Sequence, residues 1–361
     1  MKNNNKIAIV SASLGVGGAE RFAGLLSFML HDSGYEVHNI IILDHVDYDY
    51  KGTLVNLGKL FANEKGIFRA IKKGKHIAKY LYENDIQMVV DNRSRPTIVR
   101  ELFTKWIYGN RKVYYLFHSS NLQMYLTNSV FWAKYIFGKA TKLVCVSSEI
   151  QEKLKKKYQF TNTKTIYNPI VFPEKVTEKP AAVPEKYILF FGRLEEKIKN
   201  FSLLLNAFSK SKVYEDGTKL LIIGDGTDKD FILTKIAALQ LKNHVQVLPF
   251  QKNITPYIQH ARSTILTSHF EGFPMAIIES LAVGIPVISV DCETGPNEII
   301  QNNVNGLLVP NNDDVLLSAA IKTMIENENL YQICKNNAQK SVEHLSLTTI
   351  AQQWKQLLSE K

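Results

Sequence analysis

The chain has 361 residues, 45% of them hydrophobic and 22% charged, with a net charge of +10 and three cysteines. This is the composition of a soluble globular protein, and its length exceeds one comfortable core and suits two domains. Cys145, Cys292 and Cys334 are odd in number and far apart, which excludes a disulfide framework or Cys-rich metal site and points to a reducing cytosol. No apolar run approaches the ~20 residues of a membrane span, and MKNNNKIAIV passes straight into a predicted strand, leaving no room for a signal peptide.

Short apolar runs alternate with helical patterns along the chain. KIAIVS (6–11), VHNIIIL (37–43), QMVVD (87–91), KVYYLF (112–117) and KLVCVS (142–147) read as buried parallel strands. AERFAGLLSFML (19–30) and IFRAIKKGKHIAKYLYEN (67–84) read as helices between them. The segment 169–186, rich in proline with small and charged residues, reads as an interdomain linker. A second βαβ series follows in YILFFG (187–192), KLLIIG (219–224), VQVLPF (245–250), RSTILT (262–267) and PVISV (286–290). The rhythm predicts two Rossmann-like doubly wound domains, 1–168 and 187–340, facing each other across a cleft. A final helix, 341–361, places Ile350, Trp354 and Leu357 or Leu358 on one face and is expected to cross back to the first domain.

The positive charge is uneven. Residues 1–168 hold 25 Lys+Arg against 13 Asp+Glu, a net +12, leaving −2 for the remainder. A basic half suits an anionic surface or a nucleic acid, but no nucleic-acid module or aromatic stacking platform accompanies it. In 65–80, Ile67, Phe68 and Ile71, with Ala78 and Leu81, are expected on one side, and Arg69, Lys72, Lys73, Lys75 and Lys79 around the other. FWAKYIFGK (131–139) adds aromatics among lysines. Such segments fit either an anionic membrane surface or domain helices with a solvated basic face.

Candidate chemistry concentrates in SHFEGFPMAIIESLAVGIPVIS (268–289). Glu271 falls in a strand-to-helix loop at the ligand end of the sheet. Pro274 suits the first helical position, and the helix runs from about Met275 to Val283. Met275 and Glu279 then share a face, so Glu279 points where the helix begins. A helix N-terminus suits a phosphate, and a nearby carboxylate suits a ribose diol. The turn LGVGGAER opens the first helix, with Glu20 and Arg21 inside it. His118 ends a strand, and Ser147 and Ser148 precede a helix they could cap. The histidines show no metal-ligand spacing with carboxylates or cysteines.

This last stretch, with DCETGPNEIIQNNVNGLLVP (291–310), FFGRLEEKIKNFSLLLNAF (190–208), IIGDGTDKDFI (222–232) and SLGVGGAERF (13–22), closely resembles glycosyltransferase family 4, a retaining family of the GT-B fold. The resemblance covers most of the C-terminal half and the start of the N-terminal half. It implies that Arg193 and Lys199 contact the diphosphate of a nucleotide-sugar donor, with Lys197 a competitor for the second position. It implies that Glu279 holds the donor ribose, Glu271 the transferred sugar, and that Gly272, Phe273, Pro274 and Met275 present backbone groups to sugar and phosphate. Gly17 and Gly18 would face the phosphates and acceptor, and His118 the transferred sugar.

The expected activity is transfer of a hexose or N-acetylhexosamine to a hydroxyl of a lipid-linked or surface-polysaccharide acceptor, as in capsule or lipopolysaccharide assembly. DCETGP resembles members that use UDP-sugars, with GDP-mannose the alternative. A sugar-nucleotide epimerase of the same fold and a non-catalytic sugar-nucleotide-binding protein are the rival readings. No cofactor and no required metal are expected, and the enzyme should sit in the cytoplasm, peripheral on the inner membrane face.

Overall fold

A computed structural model describes residues 5–15, 17–95, 97–174, 178–181 and 183–360. It divides into two compact units, Met1–Pro169 with Leu347–Lys361, and Ile170–Ser346. Val16 of the glycine-rich turn, and residues 175–177 and 182 of the proposed linker, lie outside the described residues.

The first unit carries a seven-stranded parallel sheet of β1 (Lys6–Ser11), β2 (Glu36–Ile41), β3 (Thr53–Asn56), β4 (Met88–Asp91), β5 (Lys112–Phe117), β6 (Lys142–Cys145) and β7 (Thr163–Thr165). Their order is β3-β2-β1-β4-β5-β6-β7. β1, β4 and β5 are buried almost throughout because helices cover both faces of a parallel sheet. β3 and β7 are short edge strands, β3 with only Leu54 and Val55 apolar and β7 with no apolar residue, and hydropathy alone does not announce them. The last helix, Leu347–Ser359, lies in this unit and buries Ile350, Trp354, Leu357 and Leu358. Its Trp354 ring packs 6.4 Å from Phe22 of the first helix, Gly18–Asp32.

The helix Gly66–Glu83 corrects the expected face. Its buried side is Lys73, Gly74, Ile77 and Leu81, whereas Ile67, Phe68 and Ile71 are exposed. Glycine at 74 is what lets this helix approach its neighbour, Ile98–Tyr108: a Cβ there would fall 2.2 Å from the Phe103 ring. Lys73 lies on the same face and threads its aliphatic stem inward, ending on the Ile42 carbonyl. Burial lowers the pKa of its ammonium.

The second unit holds a six-stranded parallel sheet of β8 (Tyr187–Phe191), β9 (Lys219–Ile223), β10 (Val245–Leu248), β11 (Ser263–Leu266), β12 (Val287–Asp291) and β13 (Gly306–Pro310), in the order β10-β9-β8-β11-β12-β13. Its larger core layer joins Phe190, Phe201, Leu204, Phe208, Ile222, Ile288, Leu317 and Ile321. The unit closes on itself: Ile170 pairs with Ser346, and Ile170 N–H donates to the Leu345 carbonyl at 2.9 Å.

Each strand order reverses direction once, between β1 and β4 in one sheet and between β8 and β11 in the other. In open α/β sheets, loops leaving the carboxyl ends of the strands on either side of such a reversal part and leave a crevice. Those loops carry nearly all of the candidate residues.

Candidate functional site

In the second unit β8 ends at Phe191 and the chain turns at Gly192, whose φ is 146°. The neighbouring loop after β9 presses against it. A Cβ at Gly224, where φ is 158°, would stand 1.9 Å from the Gly192 carbonyl oxygen, and one at Gly226 would stand 2.3 Å from that of Leu194. Only glycine fits so close a backbone approach. Asp228 completes the joint by accepting from the Glu196 N–H at 2.7 Å, at the start of the single turn Glu196–Lys199.

That turn aims Lys199 inward while Lys197 stays exposed. Lys199 Nζ lies 2.6 Å from Glu271 Oε1, and the two side chains are 17% and 14% exposed. Ser268 Oγ donates to the same carboxylate oxygen at 2.6 Å. Two further bonds tie the β8 and β11 loops together: Thr267 Oγ1 donates to the Lys199 carbonyl, and His269 N–H to that of Ile198, both at 2.8 Å. The loop after β12 clamps the other side. Glu271 N–H donates to the Glu293 carbonyl at 3.1 Å, and Thr294 Oγ1 to the Glu271 carbonyl. Thr294 is fully buried with φ 64°, a left-handed conformation uncommon for threonine.

The helix Met275–Ala282 begins at the residue the sequence suggests and ends one residue earlier. Pro274 is its N-cap, with ψ 96°, rather than its first residue, and its carbonyl accepts from the Ile277 N–H at 3.1 Å. Gly272, Phe273 and Pro274 are buried under the β12 loop, where a Cβ at Gly295 would meet Pro274 Cδ at 2.5 Å. Met275, Ala276, Glu279 and Val283 are only half-buried, while Ile277, Ile278, Ser280, Leu281 and Ala282 are buried. Met275 and Glu279 therefore share the helix's open face, and the apolar residues between them serve packing.

Arg193 is 55% exposed and pairs with Glu195 at 3.3 Å. No hydrogen bond or ion pair joins it to Lys199 or Glu271, although Lys199 Cε passes 3.9 Å from the position of a Cβ on the adjacent Gly192. The geometry thus brings Lys199 and Glu271 into contact, with Arg193 on the same loop facing solvent.

In the first unit Gly17 is the N-cap of the first helix, with φ 136°, and its carbonyl accepts from the Arg21 N–H at 3.0 Å. Glu20 bends over it, its Oε2 2.3 Å from where a Gly17 Cβ would lie, whereas the space around Gly18 is open. His118 follows β5. Its backbone N–H donates to Tyr125 Oη at 3.2 Å, and its ring meets Phe22 edge-on at 5.2 Å. Burial and the nearby Arg95 cation hold its pKa down to about 3, so the imidazole is neutral near pH 7. Ser147 caps the helix Ser148–Tyr158, accepting from the Ile150 N–H at 3.3 Å.

Reading the sequence missed four residues of these two sites. Ser268, Asp228, Thr294 and Asn92 all fall in loops after strand ends. Asn92 stands directly after β4, and its position at the carboxyl edge was the available signal.

Residues 172–341 match the family described as "Glycosyl transferases group 1". Over 364 aligned residues the chain is 29% identical to N-acetylgalactosamine-N,N'-diacetylbacillosaminyl-diphospho-undecaprenol 4-alpha-N-acetylgalactosaminyltransferase of Campylobacter jejuni, spanning 96% of this chain and 97% of that one. Two solved structures share the fold. A TarM variant from S. aureus, in complex with UDP among other ligands, has a TM-score of 0.80 at 14% identity and covers 98% of this chain and 100% of its own. HepE from Anabaena, in complex with UDP, has a TM-score of 0.76 at 19% identity, covering 98% and 99%. The second unit thus matches the group 1 glycosyl transferases over nearly all its length, and the chain is a glycosyltransferase of the GT-B fold, built from two Rossmann-like domains.

Proposed function

We propose that this chain is a retaining glycosyltransferase of family 4 that moves a hexose or N-acetylhexosamine from a nucleotide-diphosphate sugar, with UDP favoured, to a hydroxyl of a lipid-linked or surface-polysaccharide acceptor. The observation that carries the reading is the Lys199–Glu271 contact at 2.6 Å, which joins the loop of a basic motif to the loop of an acidic one at a sheet's reversal point. UDP in the TarM and HepE complexes and the diphospho-undecaprenol named for the Campylobacter relative support the donor and acceptor classes.

In this reading the bond between the anomeric carbon and the phosphate oxygen breaks, and charge grows on the β-phosphate. Arg193 and Lys199 stabilise that charge most in the transition state, which is what lowers a barrier. The acceptor oxygen bonds to the anomeric carbon from the face the phosphate leaves, and its proton passes to the departing phosphate. Glu271 steadies Lys199 and faces the transferred sugar, Glu279 takes the ribose hydroxyls, and the N–H groups from Phe273 to Met275, with Gly17 and Gly18, meet sugar and phosphate. His118 serves a hydroxyl of the transferred sugar. The two cations neutralise the diphosphate without a metal.

Incubation with labelled UDP- and GDP-sugars, with and without a lipid-linked acceptor, tests the assignment. Label on the acceptor with unchanged anomeric configuration is the expected result. A free epimer with no labelled acceptor, or inversion, would replace the reading. Arg193→Ala should lower turnover by several tens-fold, about 2–3 kcal/mol of transition-state binding, with the thermal midpoint unchanged because the side chain is exposed. Activity within twofold of the parent would remove Arg193 from the site.

We also propose that the first unit meets an anionic membrane surface. None of the helices searched among the described residues is long and apolar enough to cross a membrane. Exposed Ile67, Phe68 and Ile71 lie on the Gly66–Glu83 helix with Lys72, Lys75 and Lys79. Exposed Phe131 and Tyr135 on Val130–Phe137 add to them, and Lys105 sits 4.3 Å over the Tyr135 ring. Apolar side chains beside lysines insert shallowly, and each nearby cation contributes about 1 kcal/mol on an anionic leaflet. Vesicles with anionic lipid should sediment the protein in low salt and release most of it in high salt. Equal binding to neutral vesicles, or none to either, would leave the surface without this role.

A further inference from the structure

Asn92 follows β4 and is buried against three elements. Its Nδ2 lies 2.8 Å from the Ala19 carbonyl oxygen in the first helix and 3.4 Å from Ser11 Oγ at the end of β1. Its Oδ1 lies 2.5 Å from His118 Nε2.

The chemistry of these partners fixes every proton. The Ala19 carbonyl can only accept, so the amide atom facing it is the NH₂ group. The other amide atom is therefore the oxygen, which also can only accept. The ring nitrogen 2.5 Å from it must carry the hydrogen. We infer that Asn92 is the positioning residue for His118: it locks the neutral imidazole as its Nε2–H tautomer and leaves Nδ1 as a hydrogen-bond acceptor for a hydroxyl of the bound ligand. His118 on this account receives a hydrogen bond and donates none to ligand.

The surroundings keep the arrangement fixed. Phe22 bounds the His118 ring. Arg95 is buried beneath the rings of Tyr115, Phe117 and Tyr125, at 5.0, 5.1 and 5.2 Å, and donates to the Asp91, Arg93 and Leu116 carbonyls. It pins the loop after β4, and with it Asn92, to β5, and its cation opposes protonation of the imidazole. Among the described residues no hydrogen bond reaches His118 Nδ1.

The inference rests on the proposed sugar-binding role of His118, but its test does not. In ¹⁵N-histidine-labelled protein at pH 7, with the His118 signals identified by their loss in His118→Gln, Nε2 should appear as the protonated nitrogen and Nδ1 as the bare one. Asn92→Ala should give a mixture of tautomers and lower kcat/KM about tenfold, the worth of one hydrogen bond. Asn92→Asp, which keeps an acceptor beside Nε2 but sets a second one against the Ala19 carbonyl, should keep the proton on Nε2 while lowering the thermal midpoint. A wild-type ring protonated on Nδ1, or an unchanged tautomer in Asn92→Ala, overturns the inference. If the tautomer is as stated while His118→Gln turns over normally, the sugar-binding role fails and the assignment of the proton stands.

Discussion

Lys199→Ala is expected to lower kcat/KM by about 10²–10³-fold, the scale for losing one preorganised group that meets developing transition-state charge. The loss has two sources. The cation that would face the departing phosphate is gone, and Glu271, only 14% exposed, keeps Ser268 as its neighbour but loses its counter-charge. Lys199→Arg should recover part of the activity, because a planar guanidinium keeps the charge but not the compact point contact at 2.6 Å. Lys197→Ala is the control: its side chain is exposed on the same turn and should matter less than twofold. Steady-state kinetics on the three variants decides the point. A severe Lys197→Ala with a mild Lys199→Ala would reverse the assignment of the two lysines.

Trp354→Ala should cost about 3–5 kcal/mol of stability, the range for truncating a fully buried aromatic. Trp354 is completely buried in a helix close to the chain's end, and it packs against the same Phe22 that borders His118. Trp354→Phe should cost much less, because Nε1 of the indole has no acceptor among the described residues and little is lost with it. Denaturant unfolding monitored in both variants measures the difference, and the Ala variant should also broaden the His118 resonances as Phe22 loses its support. Equal stability of the Ala and wild-type proteins would mean that this helix does not hold the first unit together.

How far the sequence carries depends on what each feature is made of. β1 and β5 begin and end where the apolar runs do, because burial on both faces leaves a continuous hydrophobic signature. β13, GLLVP, lies inside a motif and outside the βαβ rhythm of the apolar runs; β7 is TKT, held by pairing with β6 rather than by any apolar side chain. The Gly66–Glu83 helix misled for a related reason. Its apolar residues are split between a buried stretch and an exposed first turn, and a lysine occupies the inner face by extending its stem.

The site divides in the same way. Glu271 and Glu279 are legible because a strand, a loop and a helix of known period place them. Spacing alone left Lys197 and Lys199 open, since a single turn ending in left-handed Asn200 decides which one points inward. Asn92, Ser268 and Thr294 act through partners distant in sequence, and nothing local in their neighbourhoods advertises that.

The pairing of Ile170 with Ser346 has a practical consequence for dissecting the molecule. Paired strands run about 5 Å apart, so the two points where the chain enters and leaves the second unit are neighbours. That unit can accordingly be excised as one uninterrupted stretch, 170–346, with adjacent termini. The remaining pieces, ending at Pro169 and resuming at Leu347, need only a bridge of a few residues to be rejoined. Grafting a homologous second unit onto this first unit therefore requires two cuts at one spot, an architecture open to recombination without disturbing either core.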